Sequence, residues 1–261
     1  MGKLGHTTLI TGASAGIGRE LARLAAQDKR ALVLVARRRD RLEELAAELR
    51  AAHGVDVMVL PADLAQPTTP QAIFDQVQGA GLAIECLMNN AGFGARGPFV
   101  ESERARQLEM VDVNIRAVVD LTHLFLPGMV ARQQGQILNI ASVAGFVPGP
   151  YMATYYASKA FVLSFTEALA IELRGTKVTA TASCPGPTLT EFGDVAGSSG
   201  TKLFRRTATA DQVAKHAYRA MLAGEVVAIH GFMNELVAQS LRFGPRALIR
   251  SIAGSMNLPR K

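Results

Sequence analysis

Tyr155 and Lys159 stand four residues apart in a helical pattern, so both project from one face. A phenol titrates near about pH 10. It becomes a useful acid–base group when a neighbouring ammonium stabilises its phenolate. Lys159 stands where that ammonium should be. Tyr151 has Tyr155 at its fourth position and Tyr156 has Ala160, so of these three tyrosines only Tyr155 has the lysine. Ser142 closes the strand-like run Asn139-Ile140-Ala141-Ser142. Its hydroxyl can hold a substrate oxygen while Tyr155 exchanges a proton with it. A tyrosine–lysine pair on a solvated helix face is the bland alternative, and a second motif argues against it.

That motif is Thr11-Gly12-Ala13-Ser14-Ala15-Gly16-Ile17-Gly18. An apolar run, Thr7-Thr8-Leu9-Ile10, precedes it, and a helical pattern, Arg19 to Ala25, follows. A dinucleotide site requires this strand–turn–helix context. Gly12, Gly16 and Gly18 let backbone approach a pyrophosphate. Ser14 and Ile17 belong to the same loop, and the helix N-terminus offers free N–H groups. Lys159 can then also hydrogen-bond a nicotinamide ribose, and the reaction is hydride transfer between nicotinamide and a substrate carbon.

The second apolar run ends in Ala36, followed by Arg37, Arg38 and Arg39. An NAD site places Asp or Glu there, whereas a guanidinium binds the 2′-phosphate of NADP. The cluster therefore predicts NADP, with Arg37 as the first candidate ligand and Arg38 as the second. Asp40 is expected to cap the next helix. Asp63 can accept a hydrogen bond from the adenine amino group and Leu64 can touch the ring, although a helix cap explains Asp63 equally well. Asn90, Ala91 and Gly92 follow the fourth run, where small residues let backbone pass a ribose. Asn114 lies inside a long helical pattern, an unfavourable place for Asn. It can hold a water linking Lys159 to solvent, or mark a kink.

These residues need a frame. Apolar runs at 7–11, 31–36, 55–60, 84–89, 136–141, 177–183 and 226–230 read as strands. Helical patterns cover 17–27, 40–52, 69–78, 102–126, 155–174 and 209–223. Such alternation predicts an α/β fold, a parallel sheet with helices on both faces. No internal linker or repeat interrupts it, so residues 1–261 read as one domain. Cys86 and Cys184 fall on the fourth and sixth runs, about two strand spacings or roughly 10 Å apart, which excludes a disulfide.

Taken together, these positions resemble the short-chain dehydrogenase/reductase family. The resemblance runs over the glycine motif, Asp63, Asn89-Asn90-Ala91-Gly92, Asn114, Ser142, Tyr155, Lys159 and Pro185-Gly186. It implies a single Rossmann-type domain with a seven-stranded parallel sheet. It also implies that Pro185, Gly186 and Thr188 meet the nicotinamide end of the cofactor, with Thr190 a nearby alternative to Thr188. A homodimer or homotetramer through the helices carrying Asn114 and Tyr155 follows from the same resemblance. The look is similar to a broad bacterial group of NADP-dependent oxidoreductases. A protein that binds NADP as a sensor, with little turnover, is the alternative; the intact Ser142, Tyr155 and Lys159 speak against it.

Composition bounds the rest. The net charge is +6, but the basic residues are dispersed and no nucleic-acid motif accompanies them. Apolar runs break before about 20 residues, so no membrane span is expected. The start of the sequence has no long apolar signal region and no Ser or Thr at position 6 to favour acylation of Gly2. A cytoplasmic protein is the expectation. Phe93, Phe99, Val143, Phe146, Met152, Phe192 and Phe204 suggest a pocket for an apolar ketone or alcohol. Residues 193–205 are rich in Gly and Ser and read as a mobile lid. The tail 233–261 carries Leu236, Val237, Leu241, Phe243, Leu248 and Ile252 beside Arg242, Arg246 and Arg250. It can cover the substrate site, form an oligomer contact or rest on a membrane, with packing or an oligomer contact preferred.

Overall fold

A computed structural model describes residues 6–201, 207–241 and 244–258. Its first half alternates strictly: β1 (Thr7–Thr11), α1 (Gly16–Gln27), β2 (Ala31–Ala36), α2 (Arg39–His53), β3 (Val57–Pro61), α3 (Thr69–Gly79) and β4 (Ile84–Asn89). A long helical run follows as α4 (Arg104–Val111), a π-helical turn (Asp112–Arg116) and α5 (Ala117–Ala131). Then come β5 (Gly135–Ile140), α6 (Ala153–Glu172) and β6 (Val178–Cys184). The short pieces β7 (Thr188–Leu189), α7 (Phe192–Val195) and β8 (Ala208–Thr209) lead to α8 (Ala210–Ala223) and β9 (Val227–Ile229). Two helices, α9 (Phe232–Ser240) and α10 (Arg246–Met256), close the described chain.

The main sheet has seven strands in the order β3-β2-β1-β4-β5-β6-β9, and every pairing is parallel. This is a Rossmann-type α/β fold. β2 is apolar along its length because both faces are covered. On one face α1, α2 and α8 bury Leu21, Leu45, Leu49 and Met221. On the other α3, α5 and α6 bury Ile73, Leu121, Phe125 and Leu169. Each such leucine contributes about 1.5–3 kcal/mol when fully buried. Strand order reverses between β1 and β4, which opens a crevice at their carboxyl ends. That crevice is where the glycine loop and the end of β4 meet.

Several expectations need adjustment. The helix expected over 102–126 continues to Ala131 and is interrupted by the π turn that contains Asn114. The combined run Arg104–Ala131 is long and apolar enough to cross a membrane by length and composition. Its apolar side, including Met110, Val113, Leu121 and Phe125, is nevertheless packed on the sheet. Asp40 does not cap α2: the helix starts at Arg39, Arg38 holds the capping position, and Asp40 lies in the first turn. It still favours the positive end of the helix dipole there. Cys86 and Cys184 are free thiols on β4 and β6, and burial pushes both up to about 12.

Candidate active site

A cavity of about 720 Å³ runs along the carboxyl ends of the central strands. Gly12, Ser14, Ala15, Gly16 and Ile17 form its floor. α1 begins there without a side-chain cap, so its first-turn N–H groups face the cavity. An uncapped helix start opening on a cavity fits an anionic pyrophosphate. Gly12 has φ +66, and a Cβ there would lie 2.7 Å from Asn90 Nδ2 and 2.9 Å from Ala91 Cα. Gly18 does not line the cavity. A Cβ on Gly18 would lie 2.4 Å from both Asn90 Nδ2 and Gly12 O, so it serves the packing of the loop from beneath.

The β1 and β4 ends are stitched together around this floor. Thr11 Oγ1 accepts from the N–H groups of Asn90 and Ala91, both at 3.0 Å. Asn90 Nδ2 donates to Thr11 O at 2.8 Å. Asn89 Nδ2 donates to Asn139 Oδ1 at 2.9 Å, which joins β4 to β5. The stretch Asn90-Ala91-Gly92 thereby becomes a fixed wall of the cavity.

At one end of the cavity lie Ala36, Arg37, Arg38, Asp63 and Leu64. Arg38 is held over the glycine loop, with Nη2 donating to Ser14 Oγ at 3.2 Å. Its Nη1 also meets Glu191 Oε2 at 2.8 Å. Arg37 is more exposed and pairs loosely with Glu109 at 3.5 Å. Of the two arginines, Arg38 is therefore the one better aligned with the loop. Asp63 uses Oδ1 to accept from Ala65 N–H at 3.1 Å, a local turn rather than a helix cap, since α3 starts at Thr69.

At the other end stand Ser142, Tyr155 and Lys159. Ser142 Oγ accepts from Ala144 N–H at 3.1 Å, which fixes the hydroxyl at the tip of β5. Tyr155 is enclosed by protein but opens part of its surface to the cavity. Burial pushes its phenol above the ordinary value, opposed by a hydrogen bond with Ser142. Lys159 is buried, and desolvation lowers it to about 8. Its Nζ donates to Ile140 O at 2.6 Å and lies 5.9 Å from the Tyr155 ring centre. The ammonium thus rests on the end of β5 rather than on the phenol. In this geometry Tyr155 is neutral, the form that gives a proton.

Tyr156 points elsewhere. It is buried, and its hydroxyl donates to Asn257 Oδ1 at 3.2 Å. Asn114 is 1% exposed and does not line the cavity. Its Oδ1 accepts from Phe93 N–H at 3.1 Å. Its Nδ2 donates to Phe93 O and Ser158 Oγ, both at 3.0 Å. The side chain is committed to protein partners and ties the loop after β4 to the turn of α6 that carries Lys159.

Pro185, Gly186, Thr188 and Thr190 line the roof beyond β6. Thr188 Oγ1 donates to Gly186 O at 2.9 Å, while Thr190 sits so close to Gly16 that a Cβ there would lie 2.9 Å from Thr190 Cγ2. Of the apolar pocket candidates, Phe93, Val143, Met152 and Phe192 line the cavity. Phe99 is 66% exposed, and Phe146 packs on Val162 and Leu163. Phe204, with the rest of 202–206, lies outside the described residues, as do Arg242 and Phe243.

Residues 193–201 of the expected lid are held to the rest of the protein in this structure. Ser198 and Thr201 are each 1% exposed. Ser198 N–H donates to Gly193 O at 2.8 Å, and Arg96 Nε donates to Gly197 O at 2.9 Å. Hydrogen bonds to its backbone and the burial of Ala196 against Ala144, Met152 and Tyr156 hold this segment. The tail, for which covering the substrate site is one of three alternatives in the sequence, forms two helices that were not expected and that wall the cavity with Val237, Leu241, Ile249, Ile252 and Met256. The apolar spacing of 248, 249, 252, 253 and 256 was the available signal.

Comparison with known proteins agrees with this geometry. The family described as short chain dehydrogenase matches residues 6–199. The chain is 40% identical over 207 residues to sulfoacetaldehyde reductase 2 of Chromohalobacter salexigens, covering 76% of this chain and 81% of that protein. It spans 52–63% of the length of other curated relatives that it matches. A short-chain dehydrogenase from Sphingobium yanoikuyae in complex with NADPH superposes with a TM-score of 0.82 and 34% identity, over 94% of this chain and 97% of that one. The bulky-bulky ketone specific alcohol dehydrogenase from Comamonas testosteroni gives 0.79 and 29%, over 95% and 96%. A nicotinamide dinucleotide site and a Ser142–Tyr155–Lys159 cluster on a seven-stranded parallel sheet therefore have the setting that the matched family requires: the chain belongs to the short-chain dehydrogenases/reductases, oxidoreductases that act on CH–OH and C=O groups with NAD(P).

Proposed function

We propose that this enzyme is an NADP(H)-dependent oxidoreductase of ketones and secondary alcohols with a large apolar body. One observation carries the reading: Arg37 and Arg38, with Ala36 where a carboxylate would select NAD, lie in the same cavity as Ser142, Tyr155 and Lys159. NADPH and NADP+ in related structures support the same choice.

The bound dinucleotide supplies or accepts the hydride. The chain's residues do the rest. Ser142 Oγ, anchored at the β5 tip, holds the substrate oxygen. Tyr155 donates its phenolic proton to that oxygen in the reducing direction and takes it back in the oxidising direction. Lys159 can leave Ile140 O to meet a ribose and to stabilise the phenolate once the proton has gone. Asn114 positions the loop of Gly92 and Phe93 against α6.

The substrate end favours an apolar body. Val143, Ala144, Val147, Met152, Phe192, Ile252 and Met256 surround it. Among the described lining residues the cations are Arg37 and Arg38, at the opposite end, and Lys159. A small sulfonate of the kind named for the relative would meet, among the described lining residues, no cation at this end besides Lys159. The neighbour specific for bulky ketones is the better guide.

We also expect a homo-oligomer through the α4–α5 run and α6, whose outer sides expose Leu108, Val111, Phe161 and Ile171. Light scattering after gel filtration tests that. A panel of ketones of rising length, followed by NADPH absorbance, tests the activity. Long apolar ketones turned over with NADPH, and poorly with NADH, are the expected result. Turnover restricted to short charged aldehydes would replace this reading.

A further inference from the structure

One polar side chain interrupts the wall that the tail builds. Among the described residues, α9 and α10 line the cavity with apolar side chains from Val237 to Met256; the exception is Asn234, in the first turn of α9. Two contacts fix its amide. Nδ2 donates to His230 O at 2.7 Å, and the His230 N–H donates in turn to Cys184 O at the end of β6, at 3.4 Å. A carbonyl can only accept, so this bond decides which end of the amide is nitrogen. The amide also lies on Gly186, where a Cβ would sit 2.6 Å from Nδ2 and 3.4 Å from Oδ1. Glycine at 186 is what admits it.

Oδ1 accepts no hydrogen bond from any described residue. With Nδ2 tethered, it is the acceptor that this side chain has left for an occupant of the cavity. The reacting oxygen is close by. Gly186 follows Pro185, whose carbonyl accepts from Val143 N–H at 3.0 Å and from Ser142 Oγ at 3.4 Å. A short run of contacts therefore leads from the hydroxyl that holds the substrate oxygen to Asn234. A neutral acceptor at that place favours an O–H or N–H donor and opposes a carboxylate or sulfonate, whose oxygens only accept.

We propose that Asn234 is a specificity-determining residue, whose Oδ1 accepts a hydrogen bond from a hydroxyl or amide N–H that the substrate carries a few bonds from its reacting carbonyl. The substrate is then an otherwise apolar ketone with one polar donor beside the carbonyl. This statement rests on the ketone reading above and narrows it. The nicotinamide carboxamide offers the same N–H chemistry; the place of Asn234 in the tail wall, which encloses the substrate end, favours the substrate, and the test separates the two sources.

Hydroxyketones with the hydroxyl one, two or three carbons from the carbonyl are each compared with the ketone that lacks it, by kcat/KM with NADPH. Taking the ratio within each protein removes the hydroxyl's own effect on reactivity. For the best-placed hydroxyl the ratio should fall by about two- to tenfold in Asn234→Leu, the range of a neutral hydrogen bond. Asn234→Asp loses the same bond to His230 O but keeps an acceptor, so it should keep the native ratio or exceed it. An equal fall in both variants would assign Asn234 to holding α9 alone and overturn the proposal. An unchanged ratio in Asn234→Leu, with plain ketones turned over, would overturn it and leave the ketone reading intact. Should that variant also bind NADP+ more weakly by calorimetry, the acceptor would belong to the carboxamide. No turnover of any ketone by the native enzyme would overturn both readings.

Discussion

The carboxylate of Glu191, from the roof of the cavity, lies 2.8 Å from Nη1 of Arg38 at the end of β2. Arg41 reaches the same carboxylate at 3.4 Å. The pair bridges the cavity above the glycine loop, next to Thr190, which packs on Gly16. A 2′-phosphate arriving at Arg38 must compete with Glu191. Both partners are nearly half-exposed, so the bridge is worth about 0.2–1 kcal/mol. Glu191→Gln should therefore tighten NADP+ binding by up to about fivefold and leave NAD+ binding unchanged. Calorimetric titration decides it; weaker NADP+ binding would make the bridge a clamp over bound cofactor.

Tyr155→Phe keeps the ring against Phe192 and removes the proton. Turnover should drop by at least about 100-fold, with little change in cofactor affinity. Tyr156→Phe should spare the proton transfer and instead destabilise the fold by about 1–3 kcal/mol, because buried Asn257 Oδ1 loses its hydrogen-bond partner. Steady-state kinetics and urea melts on the two proteins separate the roles. The opposite pattern would mean that Tyr156 is the acid.

Cofactor choice should follow the end of β2. Ala36→Asp combined with Arg37→Ser places a carboxylate near the ribose and removes one guanidinium. A lost charge-assisted contact costs about 1.5–3 kcal/mol, so the NADPH preference should fall at least about tenfold or reverse. If the native enzyme has equal kcat/KM for both cofactors, the arginines only solvate the start of α2.

Lys159 gives a stability signature in the cofactor-free protein. It titrates near about 8 in the fold because of desolvation, against 10.5 for the unperturbed group. Between those values the unfolded chain holds a proton that the folded chain has lost, so stability rises with pH across that window. Lys159→Met should flatten this rise. A melting-temperature series for both proteins checks it; parallel curves would show that Lys159 does not carry the effect.

Arg96 fastens two walls at once. Besides Gly197 O, it donates through Nη1 to Asn257 O at 3.3 Å. Arg96→Met should raise hydrogen exchange in residues 193–201 and 253–258 together, and raise KM for bulky ketones more than it lowers kcat. Exchange confined to one segment would show that the walls are independent.

Chemistry encoded by short-range spacing was legible from the amino-acid order. The Tyr155–Lys159 pair needs only a helix, the glycine loop needs only a strand before it and a helix after it, and the β2 run needs only cover on both faces. Local periodicity and backbone sterics specify such features, so strands and helices fall within a few residues of their expected limits. Tertiary structure decided what depends on contacts between distant segments. It placed Gly18 under the loop, because Asn90 arrives there from β4. It spent the Asn114 amide on Phe93 and Ser158, when a mid-helix Asn alone left a water or a kink open. It pinned 193–201 by bonds to Arg96 that composition does not reveal. It folded α10 back until Asn257 met Tyr156, making the tail a wall of the site. Such pairings are set by the order of strands in the sheet and by the shape of the packed faces, which no local pattern contains.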